Sequence, residues 1–206
     1  MDPSYPGDAR PAAAVPRVIG VVLLALDLSA CTRCVGSLAS IEAAAAALRP
    51  VLEATGARVT VSKRVIESEE EARRLRFVSS PTIRVNGRDI APEVLERPCQ
   101  TCTDLCGCAD GTSCRVWRYR GEEYPEAPVG LIMEAVLLEI LTADGRPHRP
   151  ASTDREVPEN LRRFFQGKVA RPAASCCSAA ERGTCCDADQ KEGCCHDSQP
   201  AACGCR

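Results

Sequence analysis

A continuous run of branched apolar residues at positions 18–28 constrains the fold more than any other part of the sequence. A half-exposed strand alternates apolar and polar residues, whereas a strand covered on both faces has an unbroken apolar run. Ser29 follows as a candidate N-cap, and the alanine-rich segment 31–48, which stops before Pro50, predicts a helix. The beginning of the chain therefore predicts a buried strand that leads directly into a helix.

The next segments continue this alternation of strands and helices. Residues 56–66 alternate apolar and polar side chains and predict a second strand, and residues 67–76 predict a charged helix capped by Ser68. Residues 80–85 predict a third strand, and Asn86-Gly87 predicts a tight turn into a return strand at 88–90. Together these segments predict an α/β fold with a mixed sheet and flanking helices.

The remaining segments are predicted as appendages and a final helical layer. Residues 98–114 predict an irregular, cysteine-dense loop, 115–120 a strand, and 128–141 an amphipathic helix. A short helix at 160–168 would dock through Leu161, Phe164 and Phe165. The predicted organisation is a disordered leader at 1–16, a domain at 17–145 with its cysteine-rich insertion, a linker with the short helix at 146–170, and a cysteine-rich tail at 171–206.

The composition limits the classes of function. The 206 residues include fifteen cysteines, an odd number that rules out a monomer with every cysteine in a disulfide, and only two histidines. Metal sites would therefore be built mainly from thiolates, in a reducing cytoplasm. The net charge of −2 without a basic block argues against nucleic acid as a partner.

Leu28-Ser29-Ala30-Cys31 resembles the cleavage signal of a lipid-anchored protein. Asp27 within the apolar run and the second cysteine at position 34 argue against that interpretation. The run is also shorter than the roughly 20 apolar residues needed to span a bilayer. We therefore expect no membrane partner.

Cys31 and Cys34 form a Cys-x-x-Cys pair at the predicted start of the first helix. Unpaired backbone N–H groups and the helix dipole stabilise a thiolate there, and Arg33 adds positive charge. The pair could exchange disulfides or hold a soft metal ion, although two buried cysteines could also act as small apolar residues. Asp27, at the end of the strand, could move a proton, or it could be a solvated strand end.

A Cys-x-x-Cys after a buried strand indicates a thioredoxin-like fold, in which a proline, usually cis, opens the strand that faces the pair. Pro81 has the matching position. Residues 26–36, 78–90 and 114–124, which contain this pair and a Ser-Pro-Thr block, resemble an uncharacterised bacterial and archaeal thioredoxin-like family, known as a domain of unknown function. The resemblance covers about residues 18–145 and implies the fold and a thiol site, but no substrate and no tail of this kind.

The cysteine-dense loop is a second candidate site. Four of its thiolates could hold a tetrahedral zinc ion while the fifth exchanges ligands. If the chain carries the loop back over the first helix, some of its sulfurs would reach Cys31 and Cys34. A loop held by disulfides is an equally good interpretation. Its members are Cys99, Cys102, Cys106, Cys108 and Cys114.

The tail carries cysteine clusters at a period of nine residues, in a stretch without apolar periodicity. Neighbouring thiols on a polar chain are suited to binding soft ions, of which mercury(II) and arsenic(III) are the first candidates and copper(I), cadmium and zinc the competitors. A chance low-complexity repeat is the alternative. The clusters are Cys176 and Cys177, Cys185 and Cys186, Cys194 and Cys195, and Cys203 and Cys205.

The favoured hypothesis is thiol-based binding and transfer of a soft metal or metalloid ion for detoxification, in which the tail passes the ion to Cys31 and Cys34. Two enzymatic alternatives are a thiol-disulfide or metalloid reductase and an organomercurial lyase that uses Asp27 as the proton donor. A zinc-bound interaction module is the third alternative. We expect no organic cofactor, and the candidate protein partners are a thiol reductant and a metal-handling protein.

Overall fold

The computed structural model describes residues 17–91, 93–142 and 156–170. The predicted leader, most of the predicted linker and the whole cysteine-rich tail lie outside these described residues, so those predictions stay predictions.

A four-stranded mixed sheet forms the centre of the fold. Its strand order is β2-β1-β3-β4, in which β1 and β2 are parallel and the other pairs are antiparallel. Leu23, Leu24 and Ala25 are all buried, so the end of β1 is covered on both faces, as its unbroken apolar run predicts. The strands are β1 (Arg17–Ala25), β2 (Ala57–Val65), β3 (Thr82–Val85) and β4 (Arg88–Asp89).

Helix α1 (Thr32–Ala54) connects β1 to β2 and differs from the prediction at both ends. The predicted stop before Pro50 is wrong, since the buried stripe continues from Leu48 to Leu52 while Pro50 faces outward. Burial of Leu52 offsets the hydrogen bond that proline removes. The predicted Ser29 cap is also wrong, because Cys31 is the N-cap residue and the Ser29 hydroxyl donates to Asp27 instead.

Helix α1 is long and apolar enough to cross a membrane by length and composition alone. The core helix of a globular protein passes the same test. Ile41, Ala44 and Leu48 of α1 are buried in the core, which is the arrangement expected of such a core helix.

The second helix and the hairpin confirm their predictions. Helix α2 (Glu69–Leu75) is capped by Ser68, whose hydroxyl accepts a hydrogen bond of 3.1 Å from the backbone N–H of Glu71. Asn86 and Gly87 both have positive φ and form the turn between β3 and β4.

A second, three-stranded antiparallel sheet follows, of which only β6 was predicted. The predicted irregular loop at 98–114 instead contains helix α3 (Gln100–Cys106). Along the chain, this helix connects the first strand of the sheet to the second. The short helix ends at Gly107, which has positive φ. The strands are β5 (Leu95–Pro98), β6 (Ser113–Tyr119) and β7 (Glu122–Tyr124).

Two more helices complete the described fold. The predicted amphipathic helix is α4 (Val129–Leu141), which packs on α1, and the predicted short helix is α5 (Glu159–Ala170), which packs on α3. Leu161, Phe164 and Phe165 are buried in an apolar cluster together with six cysteines, which lie at the starts of α1 and α3, within these helices and on β6. The predicted docking of this short helix is therefore confirmed, and its docking surface is the cysteine-rich insertion.

Gly167 allows α5 to approach α3 closely. A Cβ atom at this position would lie 2.5 Å from the backbone oxygen of Cys106. We expect Gly167→Ala to lower the free energy of unfolding by about 2 kcal/mol, because overlap with the backbone outweighs the higher helix propensity of alanine. Urea denaturation would measure this loss, with Gln166→Ala on the exposed face as the control. Equal stability of the two variants would contradict the close approach.

Candidate metal centre

Four cysteine sulfurs meet in the interior of the protein. The Sγ atoms of Cys31, Cys99, Cys102 and Cys114 all lie within 4.8 Å of one another. Cys102 Sγ lies 3.7 Å from Cys31 Sγ and 3.2 Å from Cys114 Sγ. Cys31, Cys102 and Cys114 are completely buried, and Cys99 is 6% exposed. We call these four residues the thiol cluster.

The cluster joins two parts of the fold. Cys31 lies between β1 and α1, whereas the other three residues come from the insertion: Cys99 at the start of α3, Cys102 in its first turn, and Cys114 on β6. The antiparallel pairing of β5 with β6 brings the chain before α3 next to Cys114. The insertion therefore does reach Cys31, as the sequence analysis anticipated for a loop that folds back over the first helix.

Arg33 fixes the insertion against the start of α1. Its guanidinium donates to the backbone oxygens of Arg97 and Cys114, each at 3.1 Å, and to that of Pro98 at 2.9 Å. From the sequence alone, Arg33 was expected to have only an electrostatic effect on the cysteine pair. In the structure, Arg33 also holds the backbone that carries Cys99 and Cys114 in place beside Cys31.

Two cysteines of the thiol cluster have lowered pKa values, and the other two have raised pKa values. Hydrogen bonds from Cys102 and Cys114, with smaller contributions from Cys34 and Cys99, hold the pKa of Cys31 far below its usual range. Hydrogen bonds from Cys102 and Cys114 also lower the pKa of Cys99 to about 6. These two sulfurs are therefore thiolates at neutral pH.

Cys102 and Cys114 have the opposite shift. Hydrogen bonding to Cys102, Cys31 and Cys99 raises the pKa of Cys114, and burial raises it further. For Cys102, the hydrogen bond with Cys114 lowers the pKa, but donation to Cys31 and Cys99 together with burial raises it overall. Without an ion, the cluster is thus two thiols that donate hydrogen bonds to two thiolates.

Cys34 lies beside the cluster and is not one of its four members. It is completely buried, and its Sγ lies 3.4 Å from the hydroxyl oxygen of Ser80. Hydrogen bonding to Cys31, burial and the negative charge on Cys31 raise the pKa of Cys34. The predicted pair therefore consists of one cluster sulfur and one neighbouring thiol. Ser80 belongs to the Ser-Pro-Thr block, but no sequence pattern predicted its contact with Cys34.

Pro81 immediately precedes β3, and the Ser80–Pro81 peptide bond is cis. The Ser80 hydroxyl also accepts a hydrogen bond of 3.0 Å from the N–H of Leu26. The proline therefore follows a residue that contacts both Cys34 and the end of β1, and its cis peptide bond is the one expected at this position.

Asp27 holds the loop between β1 and α1. Its carboxylate accepts hydrogen bonds from the backbone N–H groups of Ser29, Ala30 and Cys31 at 2.6–3.0 Å. Partial burial raises the pKa of Asp27, but these hydrogen bonds and that from the Ser29 hydroxyl lower it overall. Asp27 is therefore an anion that fixes the backbone at Cys31, and it is poorly suited to donating a proton.

Two cysteines of the insertion lie outside the thiol cluster. Cys106 and Cys108 form a disulfide with each other at the end of α3, next to α5. They were predicted as metal ligands together with the other insertion cysteines, but the structure pairs them instead. The eight predicted ligands of the tail lie outside the described residues.

The separations of the cluster sulfurs can be compared with those around a tetrahedral ion. Metal–sulfur bonds of about 2.3 Å in a tetrahedron place the sulfurs about 3.8 Å apart. The 3.7 Å between the sulfurs of Cys31 and Cys102 matches this value, whereas those of Cys102 and Cys114, at 3.2 Å, would move apart on binding. Four thiolates around a divalent ion carry a net charge of −2. Arg33 and the N-terminus of α1 lie beside this charge and would partly offset it.

Residues 19–136 match the sequence model of a protein family that is described as a domain of unknown function (DUF2703). The matched region contains all four cysteines of the thiol cluster and ends before α5. No curated protein and no solved structure matches the chain.

Proposed function

The chain belongs to the DUF2703 family, and from its thiol cluster we propose that it binds a thiophilic metal ion and exchanges that ion with the thiols of its C-terminal tail. The observation that carries this proposal is the mutual separation of at most 4.8 Å among four buried sulfurs. Cysteines that only fill an apolar core have no reason to bring four sulfurs together from three chain segments. Binding of a soft metal ion by these sulfurs accounts for their convergence.

The number of sulfurs bears on which ion is bound. Zinc(II) and cadmium(II) favour four thiolates in a tetrahedron. Mercury(II) and arsenic(III), which the sequence analysis favoured, would use two or three of the same sulfurs. We therefore propose a site that accepts several soft ions, with detoxification of mercury or arsenic in the cytoplasm as its biological role.

Helix α5 supports the proposed transfer from tail to core. It packs on α3, the helix that carries Cys102, and its Gly167 lies against Cys106. The first tail cysteine, Cys176, follows the end of α5 at Ala170 by six residues, which span about 20 Å when extended. The tail thus starts from a fixed point on the insertion, within reach of the cluster.

We also propose that the main sheet has a thioredoxin-like fold. Three features support this assignment: the parallel β1–α1–β2 unit, the antiparallel β3–β4 hairpin, and the cysteine pair at the start of α1 together with the cis proline Pro81 before β3. The three-stranded sheet with α3 is then an insertion that adds three sulfurs to the usual position of the thiol site.

The two enzymatic alternatives find less support. A reductase would need an accessible attacking thiol, yet Cys31 and Cys34 are both completely buried. An organomercurial lyase would need a proton donor, yet the hydrogen bonds that lower the pKa of Asp27 keep it ionised.

The second candidate function is a zinc-bound interaction module. A buried, four-sulfur site with no open coordination position is typical of structural zinc. Such a site would hold its ion permanently and would not exchange it with the tail.

Native mass spectrometry under reducing conditions would test the proposal. Full-length protein and a full-length variant with all eight tail cysteines changed to serine would each be loaded with cadmium(II), mercury(II) or arsenic(III). We expect one tightly held ion in the variant and additional ions in the natural chain. Stoichiometric zinc that added cadmium does not displace would favour the interaction module. The absence of any ion from the variant would refute the proposed site.

A further inference from the structure

We infer that a pocket beside Cys99 receives a small zwitterionic thiol, of the cysteine type, which delivers the metal ion to the thiol cluster. This inference rests on the proposed function and concerns how the ion enters the buried site. Since three of the four cluster cysteines are completely buried, entry has to begin at the remaining one.

The pocket lies where the cluster comes closest to the surface. It has a volume of about 620 Å³, and Cys99 is the one cluster residue that lines it. The start of α3 and the loop at 109–113 form one wall, and α5 forms the other. The route from solvent to the cluster therefore passes between α3 and α5 and ends at Cys99.

The size of the pocket favours an ion that arrives with a carrier. A single ion occupies only a small fraction of about 620 Å³, whereas pockets for small molecules measure about 300–1,000 Å³. Soft ions bind thiols strongly, so in a thiol-rich medium they arrive already coordinated by thiolates. A pocket of this volume has room for a metal ion with one or two amino-acid thiols.

The charges that line the pocket match those of an amino acid. Arg163 can pair with a carboxylate, and Asp110 and Glu159 can pair with an ammonium group. Arg163 and Glu159 lie one helical turn apart on α5 and contact each other at 3.2 Å. Charges of both signs therefore line one cavity, an arrangement suited to a zwitterion more than to a simple anion or an apolar molecule.

Delivery is an exchange of ligands without a redox change. The sulfur of Cys99, as the thiolate, forms a bond to the ion while the carrier sulfur is still attached. The bond between the carrier sulfur and the ion then breaks, and the carrier leaves as a thiolate. One thiolate replaces another, so charge is conserved and the oxidation state of the ion is unchanged. Cys31 displaces a second carrier thiolate in the same way where one is present. Cys102 and Cys114 then complete the coordination, and each releases its proton to water as its sulfur binds.

Stopped-flow measurement of cadmium transfer would test this inference. The protein would be the full-length variant with serine at the eight tail positions, and the signal would be the ultraviolet charge-transfer absorption of cadmium bound to protein thiolates. The two donors would be the cadmium(II) complexes of L-cysteine and of the uncharged thiol 2-mercaptoethanol. We expect the rate to saturate with the cysteine complex and to rise linearly with the mercaptoethanol complex.

Arg163→Gln should raise the concentration of the cysteine complex needed for half-saturation about tenfold, because it removes one charge-assisted hydrogen bond. Lys168→Gln, which also removes a positive charge from α5 but outside the pocket, should leave this concentration unchanged. Identical kinetics with both donors, or equal effects of both variants, would overturn the inference. If Cys99→Ser leaves the amplitude of the cadmium signal unchanged, the proposed metal site itself fails, and this result is distinguishable from loss of saturation alone.

Discussion

Cys102→Ser is expected to weaken cadmium(II) binding at the thiol cluster by at least about 100-fold. Cys102 is the central sulfur of the cluster, since it contacts both Cys31 and Cys114. Serine does not ionise at neutral pH and leaves three thiolates. Loss of an outer partner of a metal ligand already costs about 10–100-fold in affinity, and loss of a ligand costs more.

Competition with a chromophoric chelator would measure this change in the full-length variant that lacks tail cysteines. Cys34→Ser is the matched control, because Cys34 is equally buried and adjacent but is not among the four sulfurs. Circular dichroism of both variants would establish that they are folded. Equal losses of affinity in the two variants would show that the four-sulfur assignment is wrong.

The affinity of the same site for cadmium is expected to rise about 100-fold between pH 7 and pH 8. Metal binding requires thiolates, so each proton displaced from a ligand adds about a factor of ten per pH unit. Cys31 and Cys99 are already ionised in this range, because the pKa of Cys31 is strongly lowered and that of Cys99 is about 6. Cys102 and Cys114, with raised pKa values, each release one proton on binding.

The direction of this effect follows from which state holds the protons. The ion-free cluster retains two protons and the ion-bound cluster retains none, so higher pH favours binding. A pH indicator in weak buffer would count the protons released when cadmium is added at pH 7.5, and we expect two. Release of four protons would mean that the ion-free cluster has no thiolates. Release of none would mean that the ion does not displace protons from these cysteines.

Much of the main sheet could be predicted from the sequence because its signals are local. The unbroken apolar run of β1, the Ser68 cap and the Asn86-Gly87 turn each act within a few residues, and the structure confirms all three. The stop at Pro50 was mispredicted for a physical reason. Burial of Leu52 against the rest of the fold outweighs a local penalty, and a sequence pattern does not contain that contact.

The candidate site was only partly predictable. The spacing of Cys31 and Cys34 marks the start of a helix, but nothing local indicates that Cys34 turns toward Ser80 while Cys31 joins the insertion. The choice among the five insertion cysteines depends on α3, which points Cys102 inward and carries Cys106 toward α5. That selection is made by long-range contacts, including the three backbone oxygens held by Arg33.

Arg33 and the thiol cluster together have a mechanical consequence. An ion bound by Cys31 and Cys114 would crosslink these two residues and close the intervening chain into a loop. Unlike a disulfide, this crosslink is removed when the ion leaves. Helix α3 is part of this crosslink on one side and supports α5 on the other. Loading the ion should therefore stiffen the packing of α5 on α3, the part of the described fold that directly precedes the tail in the chain.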